Sequence, residues 1–470
     1  GRRRHSSVTS AQYIRAMQIT YDRGLPSRSR SEAARGAVES ALWRMMAFYD
    51  SPLADLDAAI AADPAWCLPH AMKAGFLYSL TEASLEAEAA QHLAAARALV
   101  HAATPARERA HLDALQLVAE GRWAAACRAW DLLLIEHPRD ALALQWAQLW
   151  DFYRGDAAAL RARPARALPE WDEDDPLYAH VLALWAFGLE ENHCYDAAED
   201  AGRRALAIDA RAPWAVHAVA HVMEMQGRFD DGAAWLRTHQ PAWAEGNGFA
   251  AHLWWHAALF RLEGLDLAGT LRIVDGHLSG EQLQIGLQRV DAASLLWRLH
   301  LLGADLGARC RELGSAWCDA AAHTPGHYAF NDVHALLPLL AGGEVARAEA
   351  QIARCAERAL CADDAKRDNH AMAREVGLPL ARGLLAFAKG EHDAAADQLY
   401  AVRTQAQRFG GSHAQRDVID QTLLAACARG HGRKAMGRAL LNERILAKPL
   451  TPLTRQWVEA MGQATARASV

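Results

Sequence analysis

The chain has 470 residues, 52% of them hydrophobic, with a formal net charge of −6 and a pI near 6.4, so it is long enough to bury a large core. Lys and Arg are scattered among acids instead of forming a basic stripe, which disfavours nucleic acid as a partner, and no apolar run approaches the roughly 20 residues that cross a bilayer. The opening GRRRHSSVTS lacks the apolar segment of a secretory signal, so a cytoplasmic protein with no membrane partner is expected.

Strand signals are nearly absent: β-branched residues are sparse, and apolar positions recur every three or four residues instead of every two, which predicts an all-α fold. The N-terminal segment through SRSRSEAARG is expected to be partly mobile, and Asp63-Pro64 to close the first helical unit. From there a cadence sets in. VAEGRWAAACRAW places Gly121 five residues before Ala126, with Trp130 and Pro138 following, and reads as a helix, a Gly-led turn and a second helix. Gly227 and Gly232 repeat the interval, as do Gly303 and Ala308, Gly343 and Ala348, Gly390 and Ala395, and Gly430 and Ala435. Ala198 and Gly232 lie 34 residues apart, the length of a tetratricopeptide (TPR) repeat. The prediction is a TPR-like helical-hairpin superhelix, an α-solenoid around a concave pocket. The acidic, Pro-punctuated stretch 161–176 divides it into N-terminal hairpins over 1–165 and C-terminal hairpins over 176–470.

Chemistry concentrates in the C-terminal part. In WAVHAVAHVMEMQG, His217, His221 and Glu224 stand at i, i+4 and i+7 on one helical face, a set able to chelate a divalent metal or simply to form a polar groove wall. FAAHLWWHAALFRLEG adds His252 and His256 at i, i+4 beside Trp254 and Trp255, although a ruler laid from Gly264 puts neither His cleanly on the groove face. In RVDAASLLWRLHLLG, Asp291, Ser294 and Arg298 share a strip, either as site residues or with Asp291 and Arg298 as an internal ion pair. GHYAFNDVHALL supplies His327, Asn331, Asp332 and His334. GGSHAQRDVIDQ supplies His413, Gln415, Arg416, Asp417 and Asp420, for which a helix N-cap and a solvated face are the alternative. The eight cysteines include no C-x-x-C pair, so neither disulfides nor a structural zinc site is expected, and Cys67, Cys127, Cys194 and Cys427 read as buried packing residues. The 22 His and 16 Trp exceed what helix packing requires. No dinucleotide, P-loop, kinase or nucleophile-elbow motif occurs, so no nucleotide or flavin cofactor is expected.

The segments HAVAHVMEMQGR, HLWWHAALF, DAASLLWRLHLLG, FNDVHA and GGSHAQRD together resemble the tetratricopeptide repeat protein 38-like family over most of the chain. The resemblance implies a TPR superhelix and marks His217, His221, His252, His256, Asp291, Arg298, Asn331, Asp332, His334, His413, Gln415, Arg416 and Asp417 as motif positions. Some bacterial relatives look like TPR proteins encoded with toxoflavin-type azapteridine biosynthesis, which implies an oxidative step on a heterocycle. The expected function is therefore an enzyme of small-molecule metabolism. His217, His221, His252, His256, Asp291, Arg298 and His334 would be catalytic. Trp254, Trp255, His327, Asn331, Asp332, His413, Arg416 and Asp417 would hold an aromatic or heterocyclic substrate. His217, His221, Glu224, His252 and His256 would hold one Fe, Mn, Zn or Cu ion, with O2 as a possible co-substrate; the same rings could instead work cofactor-free as acid and base. The alternative is a non-catalytic scaffold that takes a peptide or partner protein in its groove.

Overall fold

A computed structural model describes residues 23–319 and 323–462, and among these the chain is helical, with one isolated bridge between Tyr49 and Asn247 and no strand. The opening decapeptide lies outside the described residues. Helices pair in chain order: α1 (Glu32–Ala47) with α2 (Leu53–Ala62), α3 (Cys67–Ser79) with α4 (Glu86–Ala98), α5 (Ala106–Ala119) with α6 (Trp123–Glu136), and α7 (Ala141–Tyr153) with α8 (Ala157–Ala167). Next come α9 (Tyr178–Glu190) with α10 (Tyr195–Ile208), α11 (Pro213–Met225) with α12 (Phe229–His239), α13 (Ala250–Glu263) with α14 (Leu267–His277), and α15 (Gly286–Leu301) with the short α16 (Arg309–Gly314). The last part holds α17 (Ala329–Ala341) with α18 (Val345–Ala359), then α19 (Asp368–Met372) leading through a π-helical turn into α20 (Leu378–Ala388), which pairs with α21 (His392–Arg403). Finally α22 (His413–Arg429) pairs with α23 (Lys434–Ala447), and α24 (Pro452–Ala460) ends the described chain.

The turns explain the cadence. A tight helix–helix connection needs one residue in the left-handed region, and that residue is Gly121 (φ +71), Gly155 (+73), Gly227 (+69), Gly303 (+78), Gly343 (+78) or Gly390 (+80). His193 (φ 61) and Leu265 (φ 57) do the same job without being glycine, which is why the ruler missed them. Five residues after the turn the chain must be small where helices touch: Ala126, Ala198, Ala348 and Ala395 are fully buried, and a Cβ on Gly232 would come within 2.2 Å of the Phe260 ring. Two expected units break the pattern. Ala308 is exposed ahead of the short α16, and Gly430 has an extended backbone (φ −75, ψ 168), with Gly437 and not Ala435 making the close contact, against Met461.

First helices of successive pairs also pack on one another, α9 on α11, α11 on α13, α13 on α15 and α15 on α17. The chain then returns on itself, because α22 packs against both α15 and α11, and α24 against α13. At the other end, Phe48, just beyond α1, stacks on Trp214 and Phe249 (5.7 and 4.9 Å between ring centres). Residues 27–36, expected to be mobile, are instead tied in: Ser31 caps α1, Ser29 donates to Asp63, and Arg23 just before them pairs with Asp175 and Glu39 at 2.8 Å. Across 161–176, α8 packs directly on α9, closely enough that a Cβ on Gly188 would strike the Leu160 carbonyl. Of the four cysteines read as buried, Cys194 is only half-buried.

Candidate metal site

Four histidines meet where α11 and α13 face each other. The helical repeat puts His217 above His221 and His252 above His256 on their own helices, and one ligating nitrogen from each of the four lies within 4.8 Å of the others. His217 Nε2 stands 2.8 Å from His221 Nε2 and 3.1 Å from His252 Nε2. Two imidazoles bound cis to one cation, each at 2.0–2.1 Å, would stand about 2.9 Å apart. The ruler laid from Gly264 had rotated His252 off this face. The left-handed turn residue is Leu265, so His252 lies thirteen residues before the turn, a groove position.

The surroundings fix tautomers. Asp291 Oδ2, from α15, accepts from His252 Nδ1 at 2.8 Å, which leaves the His252 Nε2 lone pair facing the cluster. Behind it, His252 stacks on Trp255 (5.2 Å), whose Nε1 donates to Ser294 Oγ at 3.0 Å. His217 packs between Phe187 and Phe249. His217 Nδ1, His221 Nδ1 and both nitrogens of His256 have no hydrogen-bond partner, although all three residues are at most 2% exposed. A buried polar atom left unsatisfied costs about 1–3 kcal/mol, so several in one spot are worth explaining by a ligand. Burial, with repulsion among the rings, pushes His217 and His256 well below the ordinary histidine range, and burial pushes His221 down to about 3. These rings are neutral at physiological pH, the state that ligates a cation, and are weak bases. The four histidines are thus positioned to bind a metal ion.

A cavity of about 440 Å³ opens onto His217, His221, His252 and Asp291. Its walls include the aromatic side chains of Phe48, Phe76, Phe152, Tyr153, Trp214 and Phe249, while Arg44, Asp50, Gln145, Gln288 and, at the start of α22, Ser412 and Gln415 add polar groups. Most of these wall residues come from the first half of the chain or from a loop, and the sequence reading missed them. Only Trp214, one helical turn before His217, carried a periodic signal.

Other expected site residues lie elsewhere. Glu224, one turn beyond His221, points away from the histidines toward Lys448 at 3.7 Å, and burial pushes its carboxyl up to about 7; it is not part of the metal cluster. Trp254 stacks face to face on His277 (3.7 Å) on the opposite side of α13, and Trp255 is sealed behind His252, so neither lines the cavity. Asp291 and Arg298 do not pair: the Arg298 guanidinium donates to the carbonyls of Ser294, Ala414 and Gln415, joining α15 to α22, and lies over Trp255. His334 Nδ1 donates to the Phe330 carbonyl of its own helix at 2.8 Å, beside a small apolar pocket. Asn331 donates to Thr81, Asp332 accepts from Gly326 N, and His327 lies 3.8 Å from Glu86; none of the three belongs to the histidine cluster. Ser412 and Gln415 form a capping box, so that part of the GGSHAQRD signal is a helix start.

His413, Arg416, Asp417 and Asp420 line a second cavity, about 410 Å³, with Glu224, Arg403, Glu443, Arg444 and Lys448. Between the two cavities sit Glu190 and Glu191, at the end of α9. No helix among the described residues is long and apolar enough to cross a membrane. No protein-family model matches the chain.

Proposed function

We infer that the chain is an enzyme that holds a divalent first-row transition metal (Fe, Mn, Zn or Cu) in the His217–His221–His252–His256 cluster and transforms a small aromatic or heterocyclic metabolite in the adjoining cavity. The convergence of four buried histidines beside the cavity, with His217 Nδ1, His221 Nδ1 and both His256 nitrogens lacking a hydrogen-bond partner, carries this reading, because histidines placed only for packing would find partners for those atoms. The metal would supply Lewis-acid or redox chemistry. Asp291 orients His252, Trp214, Phe48 and Phe249 offer ring faces to a planar substrate, and Gln415 offers hydrogen bonds to its edge. An oxidation of the kind required by a toxoflavin-type azapteridine, with O2 as acceptor, is consistent with that wall, as is membership of the tetratricopeptide repeat protein 38-like family and a TPR-type superhelix with its concave side at the cavity. Neutral, poorly basic rings favour the metal-dependent form over cofactor-free proton abstraction. A cavity of about 440 Å³ that presents six aromatic side chains favours a small molecule over a peptide.

Elemental analysis of untagged protein tests the reading. Stoichiometric metal in the wild type, lost in both His217→Ala and His252→Ala, is the expected result; metal-free wild-type protein that also takes up none on dialysis against Zn2+ or Cu2+ would sink it.

A further inference from the structure

His252 and His221 both turn Nδ1 toward a carboxylate, but the two contacts differ in kind. His252 Nδ1 and Asp291 Oδ2, at 2.8 Å, make an ordinary hydrogen bond. His221 Nδ1 and Glu190 Oε2 stand 3.6 Å apart, too far for one, and Nδ1 has no partner while the Glu190 carboxyl has none beyond the neighbouring Glu191 carboxyl. Both residues are wholly buried. Two bonds of about 2.1 Å meeting at a wide angle span such a gap. Glu191, 4% exposed, brings a second carboxylate to the same point, and one ligand atom from each of Glu190, Glu191 and His221 lies within 4.8 Å of the others. Glu191 Oε1 accepts from the His413 backbone N–H at 3.2 Å, and its Oε2 is 4.0 Å from Arg416, so it keeps room for a further bond.

Because His221 already presents Nε2 to the four-histidine cluster, we propose that Glu190, Glu191 and His221 Nδ1 form a second divalent-cation site, with the His221 ring bridging two metal ions. The proposal rests on the reading of the four histidines as the first metal site. Bridging requires the ring to give up its remaining proton, leaving an imidazolate whose negative charge, with those of Glu190 and Glu191, offsets the added cation. The mixed nitrogen and carboxylate donor set suits a first-row divalent ion. The second cavity comes nearest at His413 and Arg416, which line it and lie 3.5 and 4.0 Å from the Glu191 carboxylate. The first ion faces the aromatic cavity and the second faces the polar one. The pair would place two charges on opposite sides of a single ring.

Chelator-stripped full-length protein, dialysed against Zn2+ and analysed for metal, separates the possibilities. Two equivalents in the wild type and one in Glu190→Gln are expected, with Cu2+-loaded wild type giving an electron paramagnetic resonance intensity well below two spins on cooling, as an imidazolate bridge couples the pair. One equivalent unchanged by Glu190→Gln but lost in His252→Ala would overturn the second site and leave the first standing. One equivalent lost in Glu190→Gln and kept in His252→Ala would overturn the four-histidine reading and the bridge with it. If Glu190→Gln does not fold, the wild-type copper spectrum decides alone: two uncoupled spins, or a single equivalent, overturn the proposal.

Discussion

Two buried polar regions lie on either side of Glu190 and Glu191, and they are built on opposite principles. In the second cavity charges answer one another: Arg444 pairs with Asp417 at 2.5 Å, Lys448 with Glu263 at 2.6 Å, and Arg403 with Asp420 at 2.8 Å. In the histidine cluster the only nitrogen hydrogen-bonded outside the rings is His252 Nδ1; the rest turn toward one another, toward Glu190 at 3.6 Å in the case of His221 Nδ1, or toward no partner. A region whose charges are mostly paired holds helices together, here α22, α23 and α13. A region left unsatisfied is waiting for a partner from outside the chain. Polar density alone would rank the two alike, and pairing is what separates them.

The largest effect should come from breaking the paired region. Asp417→Ala strands the largely buried Arg444 guanidinium, whose pKa Asp417 helps to hold above the ordinary arginine value, at a cost of about 1–3 kcal/mol in denaturant unfolding. Metal content per folded chain should not change. A loss of metal without a loss of stability would reverse the roles assigned to the two regions.

Asp291→Asn probes the other side. It weakens the hydrogen bond that fixes the His252 tautomer, and such supporting carboxylates are worth 10–100-fold in metal affinity. The expected outcome is that dissociation constant rising by about that factor in a competition with a chromogenic chelator, with the thermal midpoint of metal-free protein little moved. An unchanged constant would mean that His252 is not a ligand.

The helical repeat was readable because each hairpin needs a left-handed turn residue and a small contact residue, and glycine and alanine mark both. Where His193 and Leu265 take the turn instead, the marks vanish, and one missed residue was enough to rotate His252 off its face. The four histidines were legible from their spacing at i, i+4 on neighbouring units, and Asp291 from the polar strip it forms with Ser294 and Arg298. The cavity wall was not, since Phe48, Phe76 and Tyr153 reach the site only through the folding back of the chain, and a Phe in an apolar helix looks the same whether it lines a cavity or fills a core. Trp254 and Glu224 misled for a related reason: composition shows that an aromatic or an acid is near the histidines in sequence, and only the helix rotation shows which way it faces.

Acidification distinguishes the regions in sign and in range. His217, His221 and His256 have pKa values below the unfolded value of about 6.5, so the unfolded chain binds more protons as pH falls and stability declines below that point, on the order of 1 kcal/mol per pH unit for each ring, until about 3 for His221. Above 6.5 their contribution is fully present. Asp417, although burial opposes it, is held far below the ordinary carboxylate range by Arg444, so its stabilisation is complete above about pH 4 and is lost only as pH falls further. Urea midpoints of metal-free protein between pH 7 and pH 5 should therefore fall through the depressed histidines, His327 and His334 adding to the cluster, against a smaller opposing contribution from Glu224, whose raised carboxyl takes up a proton in the folded chain over the same interval. A flat profile over that interval would show these rings to be protonated or exposed.

The smallest effect, and the most discriminating, is that of His256→Leu. His256 is fully buried and neither ring nitrogen has a partner, so an apolar side chain of similar bulk removes unsatisfied polar atoms without opening a cavity. Metal-free protein should unfold within about 1 kcal/mol of the wild type, and its stability should fall less steeply between pH 7 and pH 5 because one depressed ring is gone. Metal affinity should drop, since one of the four converging nitrogens is lost. A scaffold histidine would behave in the opposite way, costing stability and leaving metal content unchanged. The same substitution thus weighs His256 as ligand against His256 as packing, and a stable fold with a weakened ion is the outcome that assigns it to the site.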